Sequence, residues 1–160
     1  MNVQEKFQLY VYDGDFSLPS LEVEGIKSIL YTAVANVPVQ VKVLNSVKHC
    51  AFYGAPSFVH KNLVFKSFNE TVLYLRTLNI NIDSKLSHKQ CSESLALSNL
   101  TQSKLKPVIE FTYWLDQRNC DEFTNVWFMK ALPLPFNYVH TRRLKDKAST
   151  PDRNVIPSRK

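Results

Sequence analysis

The stretch Phe7–Leu44 limits the fold more than any other part of the chain. Phe7–Tyr12 ends in the β-formers Tyr10, Val11 and Tyr12 and reads as a strand. Asp13-Gly14-Asp15 is a turn signal. Ser20, preceded by Pro19 and followed by Glu22 and Glu24, reads as the N-cap of a helix with acidic residues at the positive end of its dipole. That helix is expected to bury a stripe of Val23, Ile26, Leu30, Ala33 and Val37, widened by Ile29 and Val34, and to stop at Pro38. Val39–Leu44 then alternates Val39, Val41 and Val43 with Gln40 and Lys42, a second strand with one polar face. Two strands joined through a helical crossover run parallel. The chain is therefore α/β in class, at least at this end.

Downstream, Gly54-Ala55-Pro56-Ser57-Phe58-Val59, Lys61-Asn62 and Leu63-Val64-Phe65 read as strand, two-residue turn and returning strand. Ser67-Phe68-Asn69-Glu70 is a capping box, and Thr71–Asn79 follows as a helix with Val72, Leu75 and Leu78 inward. This β-α-β-β-β-α order, with a mixed sheet, predicts a thioredoxin-like domain over residues 7–80. Asn79–Ser87 reads as a polar linker. Ser87-His88-Lys89-Gln90 is a further capping box, opening a helix that carries Cys91, Leu95, Leu97, Leu100 and Leu105. Pro107 kinks or restarts that helix, and Val108, Ile109, Phe111, Trp114 and Leu115 continue its apolar stripe. Another helix, starting at Asn119 or Asp121, holds Phe123, Trp127 and Phe128 and ends at Leu132-Pro133-Leu134-Pro135. Residues 87–140 thus read as a helical domain, and 145–160 as a disordered basic tail.

The net charge of +6 belongs mostly to that tail. Thr141–Lys160 holds seven Lys/Arg against two Asp, while the other 140 residues carry thirteen basic and twelve acidic side chains. The charge therefore gives no general nucleic-acid-binding face, and nucleic acid is not expected as a partner. The tail alone offers cations that could meet lipid or RNA phosphates, or simply be solvated. Cys50, Cys91 and Cys120 form neither a C-x-x-C pair nor metal spacing with His49, His60, His88 and His140, so no metal or cofactor is expected and a reducing compartment is the natural reading. No apolar leader follows Met1–Lys6, and Ile29–Val41 is too short and too interrupted to span a bilayer. The Asn69 and Asn99 sequons lie in helical pattern without a secretion signal. Phosphate-loop, G-x-S-x-G and H-E-x-x-H motifs are missing, and Asp83, Asp116, Asp121 and Glu122 form no evident carboxylate pair. Tyr113, Trp114, Trp127 and Phe136 are candidate interface aromatics, with helix–helix packing the competing reading for the two Trp.

A thioredoxin-like domain followed by helices resembles the layout of glutathione transferases, and that layout can be tested on three positions. A hydroxyl or thiol near the end of the first strand would stabilise a thiolate; Tyr12, Ser17 and Ser20 stand there, although Ser20 and Tyr12 have ordinary structural uses. Pro56 is the candidate for the structural cis-proline ahead of the third strand. An acidic residue or Gln followed by Ser would hold the γ-glutamyl group at a helix N-terminus; here Lys66-Ser67 stands in its place, or Phe68 at the Ser position if the count slips by one. A lysine there opposes the ligand's ammonium. Asp13–Pro19 also offers no cysteine nucleophile. Catalytic residues are accordingly none, and no small-molecule substrate is expected.

Leu18-Pro19-Ser20, Lys106-Pro107-Val108, Tyr113-Trp114-Leu115-Asp116 and Ala131-Leu132-Pro133-Leu134-Pro135-Phe136-Asn137 carry a more specific likeness. Over about residues 7–147 the chain resembles the metaxin family, nearer the metaxin-1/metaxin-3 branch, with glutathione-transferase-like shape. The resemblance implies a non-enzymatic scaffold in mitochondrial outer-membrane protein import and β-barrel sorting and assembly. It implies partners among other metaxin-type subunits and the β-barrel subunit of the sorting and assembly machinery. The implied location is the cytosolic face of the outer membrane, partly cytosolic if no anchor is present. A glutathione-binding protein or transferase relative is the alternative. The family pattern fades after Lys147, so a C-terminally truncated chain, peripheral to the membrane and with an incomplete helical domain, is expected.

Overall fold

The computed structural model describes residues 6–15, 17–52 and 54–150. They form two compact units, one within Met1–Ser84 with Lys130–Phe136, the other within Lys85–Met129 with Asn137 onward.

The first unit is built on a four-stranded sheet of order β2-β1-β3-β4, with β1 at Phe7–Val11, β2 at Val39–Val43, β3 at Ser57–His60 and β4 at Leu63–Phe65. β1 and β2 are parallel, with Leu9 beside Val41, as a helical crossover requires. β1–β3 and β3–β4 are antiparallel, and Lys61, at φ 50°, sits in the tight turn of the hairpin. The mixed sheet and the helices of the second unit agree with the α/β-plus-α expectation.

The crossover helix, α1 at Val23–Val34, differs from expectation in where it starts and in which face it buries. Glu22 is its N-cap without a side-chain bond, so the helix starts after Ser20, not on it. Ser20 is fully buried, and its Oγ accepts from the Glu22 N–H at 3.4 Å, a local turn just ahead of the helix. The buried face is Gly25, Ser28, Tyr31 and Thr32, while Leu30 and Val34 of the expected stripe are 58% and 66% exposed. Small residues win this face because the helix lies close to β1. A first side-chain carbon on Gly25 would meet Ser20 Oγ at 2.8 Å and Val11 Cγ1 at 3.5 Å. Two of the three buried hydroxyls are satisfied within the helix: Ser28 Oγ donates to Glu24 O, and Thr32 Oγ1 donates to Ser28 O; among the described residues the Tyr31 hydroxyl has no partner.

Leu9, Val11, Tyr31, Val37, Phe58 and Leu75 make the core between sheet and helices. Leu75 comes from α3, Phe68–Thr77, of which Leu78 lies just beyond and is largely exposed. Aromatic rings extend this core: Phe7 stacks on Phe58 at 5.6 Å and Phe65 on Tyr74 at 4.3 Å. His60 Nδ1 and the Tyr74 hydroxyl share a 2.7 Å hydrogen bond beside them. A short helix not foreseen in the sequence, α2 at Val47–Phe52, lies between β2 and β3, with Ser46 Oγ accepting from the His49 N–H. The polar linker contains a 3₁₀ turn at Ile82–Lys85, tied to α3 by Arg76–Asp83 at 2.8 Å.

In the second unit, α4 (His88–Leu100) opens on a complete capping box. Ser87 Oγ accepts from the Gln90 N–H, and Gln90 Oε1 accepts from the Ser87 N–H. α4 runs through a π segment, Thr101–Leu105, into α5 (Lys106–Glu110) and a second π segment, Phe111–Leu115. The Lys106 N–H reaches back five residues to Thr101 O, so the expected kink at Pro107 appears as a widened turn just ahead of it. Asp116, not Asn119 or Asp121, caps the next helix, accepting from the Arg118 and Asn119 N–H groups. α6 (Gln117–Asn119), a third π segment (Cys120–Thr124) and α7 (Asn125–Ala131) follow in sequence. After a prolyl break with a cis Leu134–Pro135 bond comes α8, Phe136–Ser149. Residues 145–149 of the tail expected to be disordered are therefore helical, and 151–160 lie outside the described residues.

The loop that feeds α1 is closed on itself, with the Leu21 N–H bonded to Asp13 O and the Leu18 N–H to Asp15 O. A side-chain carbon on Gly14 would fall 1.9 Å from Leu18 O. Gly14→Ala is therefore expected to destabilise the chain by about 2–4 kcal/mol, read as a lowered urea midpoint with an unchanged slope.

Candidate functional site

Two clusters hold the residues singled out in the sequence. The first lies at the loop end of the sheet. Tyr12 extends β1 and is only 4% exposed. Burial first, then the charge of Glu22 and of Cys50, push its hydroxyl well above the ordinary tyrosine range, against a backbone hydrogen bond from Ala55. A phenol held protonated in this way can donate or accept a hydrogen bond but does not become an anion near neutral pH. Ser17 is exposed in the left-handed region at φ 63°. Ser20 is buried and engaged with Glu22. The Ala55–Pro56 peptide bond is cis.

At the start of α3 the local donors are used internally. Ser67 Oγ accepts from the Glu70 N–H at 3.2 Å, and the Glu70 carboxylate accepts from the Lys66 N–H at 3.0 Å. Thr71 Oγ1 donates to Ser67 O. The Lys66 and Glu70 N–H groups are thus taken up within the chain, and the Lys66 side chain is exposed. Among the described residues, no cluster of three or more His, Cys, Asp or Glu is arranged to hold a metal.

The second cluster is the aromatic set. Trp114 is 6% exposed, packed on Phe128 at 5.4 Å, so it serves the core of the helical unit and is withdrawn from the interface candidates. Trp127 is half-buried and lies 6.1 Å from Phe123; Tyr113 and Phe136 are also half-buried. A run of exposed apolar residues lies instead along α4, α5 and the π segments that follow each, where Leu95, Leu97, Leu100, Leu105, Val108 and Phe111 all stand out to solvent. α4 has no buried residue. The sequence pattern marked these residues as apolar but as an inward stripe.

A mixed sheet of order β2-β1-β3-β4, with α1 and α3 against its Leu9 and Phe58 face and a helical unit after it, defines a protein of glutathione-transferase-like fold. A glutathione S-transferase of Ceriporiopsis subvermispora, crystallised in complex with glutathione, matches it with a TM-score of 0.53 at 10% identity, over 90% of this chain and 61% of that one. The chain belongs to the Tom37 family, described as "outer mitochondrial membrane transport complex protein", whose model matches residues 25–145. Metaxin-1 of Bos taurus is 26% identical over 139 residues, 86% of this chain and 44% of that protein. Metaxin-3 of Danio rerio is 25% identical over 134 residues, 84% and 43% respectively. The chain spans less than half the length of these relatives.

Two titrations test the electrostatics. Tyr12 should be the last phenol to ionise in an ultraviolet titration, and Tyr12→Phe should remove that late step; the raised value contributes stability below pH 10, which falls away as the pH climbs above it. In the helical unit, burial and then the Arg143 charge pull the His140 imidazole, 5.6 Å from Phe128, down from 6.5 to about 4. The folded chain then holds fewer protons than the unfolded one across that interval. Stability should therefore fall as the pH drops from 6.5 toward 4, and urea midpoints of His140→Gln should lose much of that slope.

Proposed function

We propose that this chain is a non-enzymatic scaffold subunit of a protein-transport complex at the outer mitochondrial membrane, working in β-barrel sorting and assembly on the cytosolic face. The observation that carries this reading is the family match over residues 25–145, which takes in α1, the sheet from β2 to β4, and the helices up to α8. Three features of the site support it. The Tyr12 hydroxyl is buried and kept protonated, Ser67 and Glu70 close the N-terminus of α3, and Lys66 stands where a ligand's ammonium would be repelled. The partners are other metaxin-type subunits and the β-barrel subunit of the assembly machinery. They would meet the exposed apolar side chains of α4 and α5, a surface of the kind that soluble monomers seldom leave bare. The location is peripheral to the membrane; no described helix is long and apolar enough to cross a bilayer.

The second reading, a glutathione-binding relative, is favoured by the shared fold and by the glutathione complex of its structural neighbour. Tagged chain isolated from detergent-solubilised mitochondria should bring down metaxin-type subunits and the β-barrel subunit, and Leu97→Glu with Val108→Glu should lower that recovery without unfolding the chain. Retention on glutathione resin, with none of those subunits recovered, would favour the second reading instead.

A further inference from the structure

α8 separates into two faces along its whole length. At about 100° per residue, Asn137, His140, Thr141, Leu144 and Ala148 fall on one arc, and all are buried or half-buried. The remaining arc of the circumference carries Tyr138, Val139, Arg142, Arg143, Lys145 and Lys147 with a single carboxylate, Asp146; Lys145 and Lys147 flank the buried arc, and Lys145 is half-buried. Tyr138 is 67% exposed, and Val139, Arg142, Arg143 and Lys147 are exposed as well. Among the described residues none of these four cations takes part in an ion pair, whereas other exposed helices of the chain match cation to carboxylate, as in Lys89–Glu93, Lys106–Glu110 and Arg118–Glu122. Four cations against one carboxylate give this helix half of the chain's net charge of +6, while the residues ahead of it are close to neutral.

We propose that this arc of α8 is a docking surface for an anionic phospholipid bilayer, the cations meeting headgroup phosphates and Tyr138 with Val139 entering the interfacial layer. The chemistry fits a lipid surface better than a nucleic-acid strand. Tyr138, Arg142 and Lys145 line up at i, i+4 and i+7, so an amphipathic ring and two cations share one flat strip. A ring with a polar tip is at home in the headgroup layer, and arginine and lysine stems cover apolar surface while their charges stay in the polar layer. The arc is too polar to enter hydrocarbon and too short to span it, so the contact is peripheral and reversible. The proposal rests on the membrane setting above and names the surface that meets the membrane.

The test is co-sedimentation of the purified full chain with phosphatidylcholine vesicles, with and without phosphatidylserine. Binding is expected only to the anionic vesicles, weakening as salt is raised. Each cation removed should lower partitioning about fivefold, so Arg142→Gln with Lys145→Gln should lower it about thirtyfold. Arg142 is exposed and Lys145 half-buried, so an unchanged urea midpoint is needed to establish that the variant is folded. Tyr138→Ala should weaken binding in a salt-independent way. Equal binding to neutral vesicles, full binding by the double variant, or binding to an RNA homopolymer with none to anionic vesicles would each overturn the proposal. Because no partner protein is present, failure to recover transport subunits from mitochondria leaves this outcome untouched.

Discussion

The close approach of α1 to β1 is the contact on which the first unit depends. β1 is bonded on both sides, to β2 and to β3, so its Leu9 and Val11 side chains have no exposure. The parallel partner β2 reaches its register only after the chain has passed over the sheet as α1, and Gly25 lets that passage lie close to Val11. Small side chains at the contact let Tyr31 and Val37 close over β1, and α3 completes the layer with Leu75. A larger residue on that face would lift the helix and open the core to the cavity costs that follow from lost packing.

The loop end of the sheet shows how polar groups can be absorbed into structure. Tyr12, Ser20 and Ser67 stand where hydroxyls serve chemistry in enzymes of this shape, yet each has a structural engagement: Tyr12 with Ala55, Ser20 with Glu22, Ser67 with Glu70. Beside Gly14 the Leu21 and Leu18 N–H groups are bonded back to Asp13 O and Asp15 O. Exposed apolar side chains stand along α4 and α5, and exposed cations along α8.

The order of strands, the hairpin and the caps at Ser67 and Ser87 were legible because each rests on local chemistry: alternation, a two-residue turn, or a serine three residues ahead of Glu or Gln. The faces of the helices were not. α1 buries polar and small residues because sheet proximity overrides the apolar stripe of Leu30 and Val34, and no periodicity in one sequence reports that distance. α2 is too short to leave a period, and α8 carries so much charge that its composition resembles a solvated tail. Trp114 and Trp127 are chemically alike and thirteen positions apart, yet one is buried against Phe128 and the other only half-covered. Only the packing separates them.

The π segments have a geometric consequence for the helical unit. Each wide turn takes up one extra residue, so the side chains that follow are rotated by about 100° from where an unbroken α-helix would put them. Between His88 and Leu115 this happens twice. Leu95, Leu97 and Leu100 are exposed ahead of the first wide turn, and Trp114, within the second, is buried in its own unit. One continuous length of backbone thus leaves its early apolar side chains in solvent and turns its Trp114 inward.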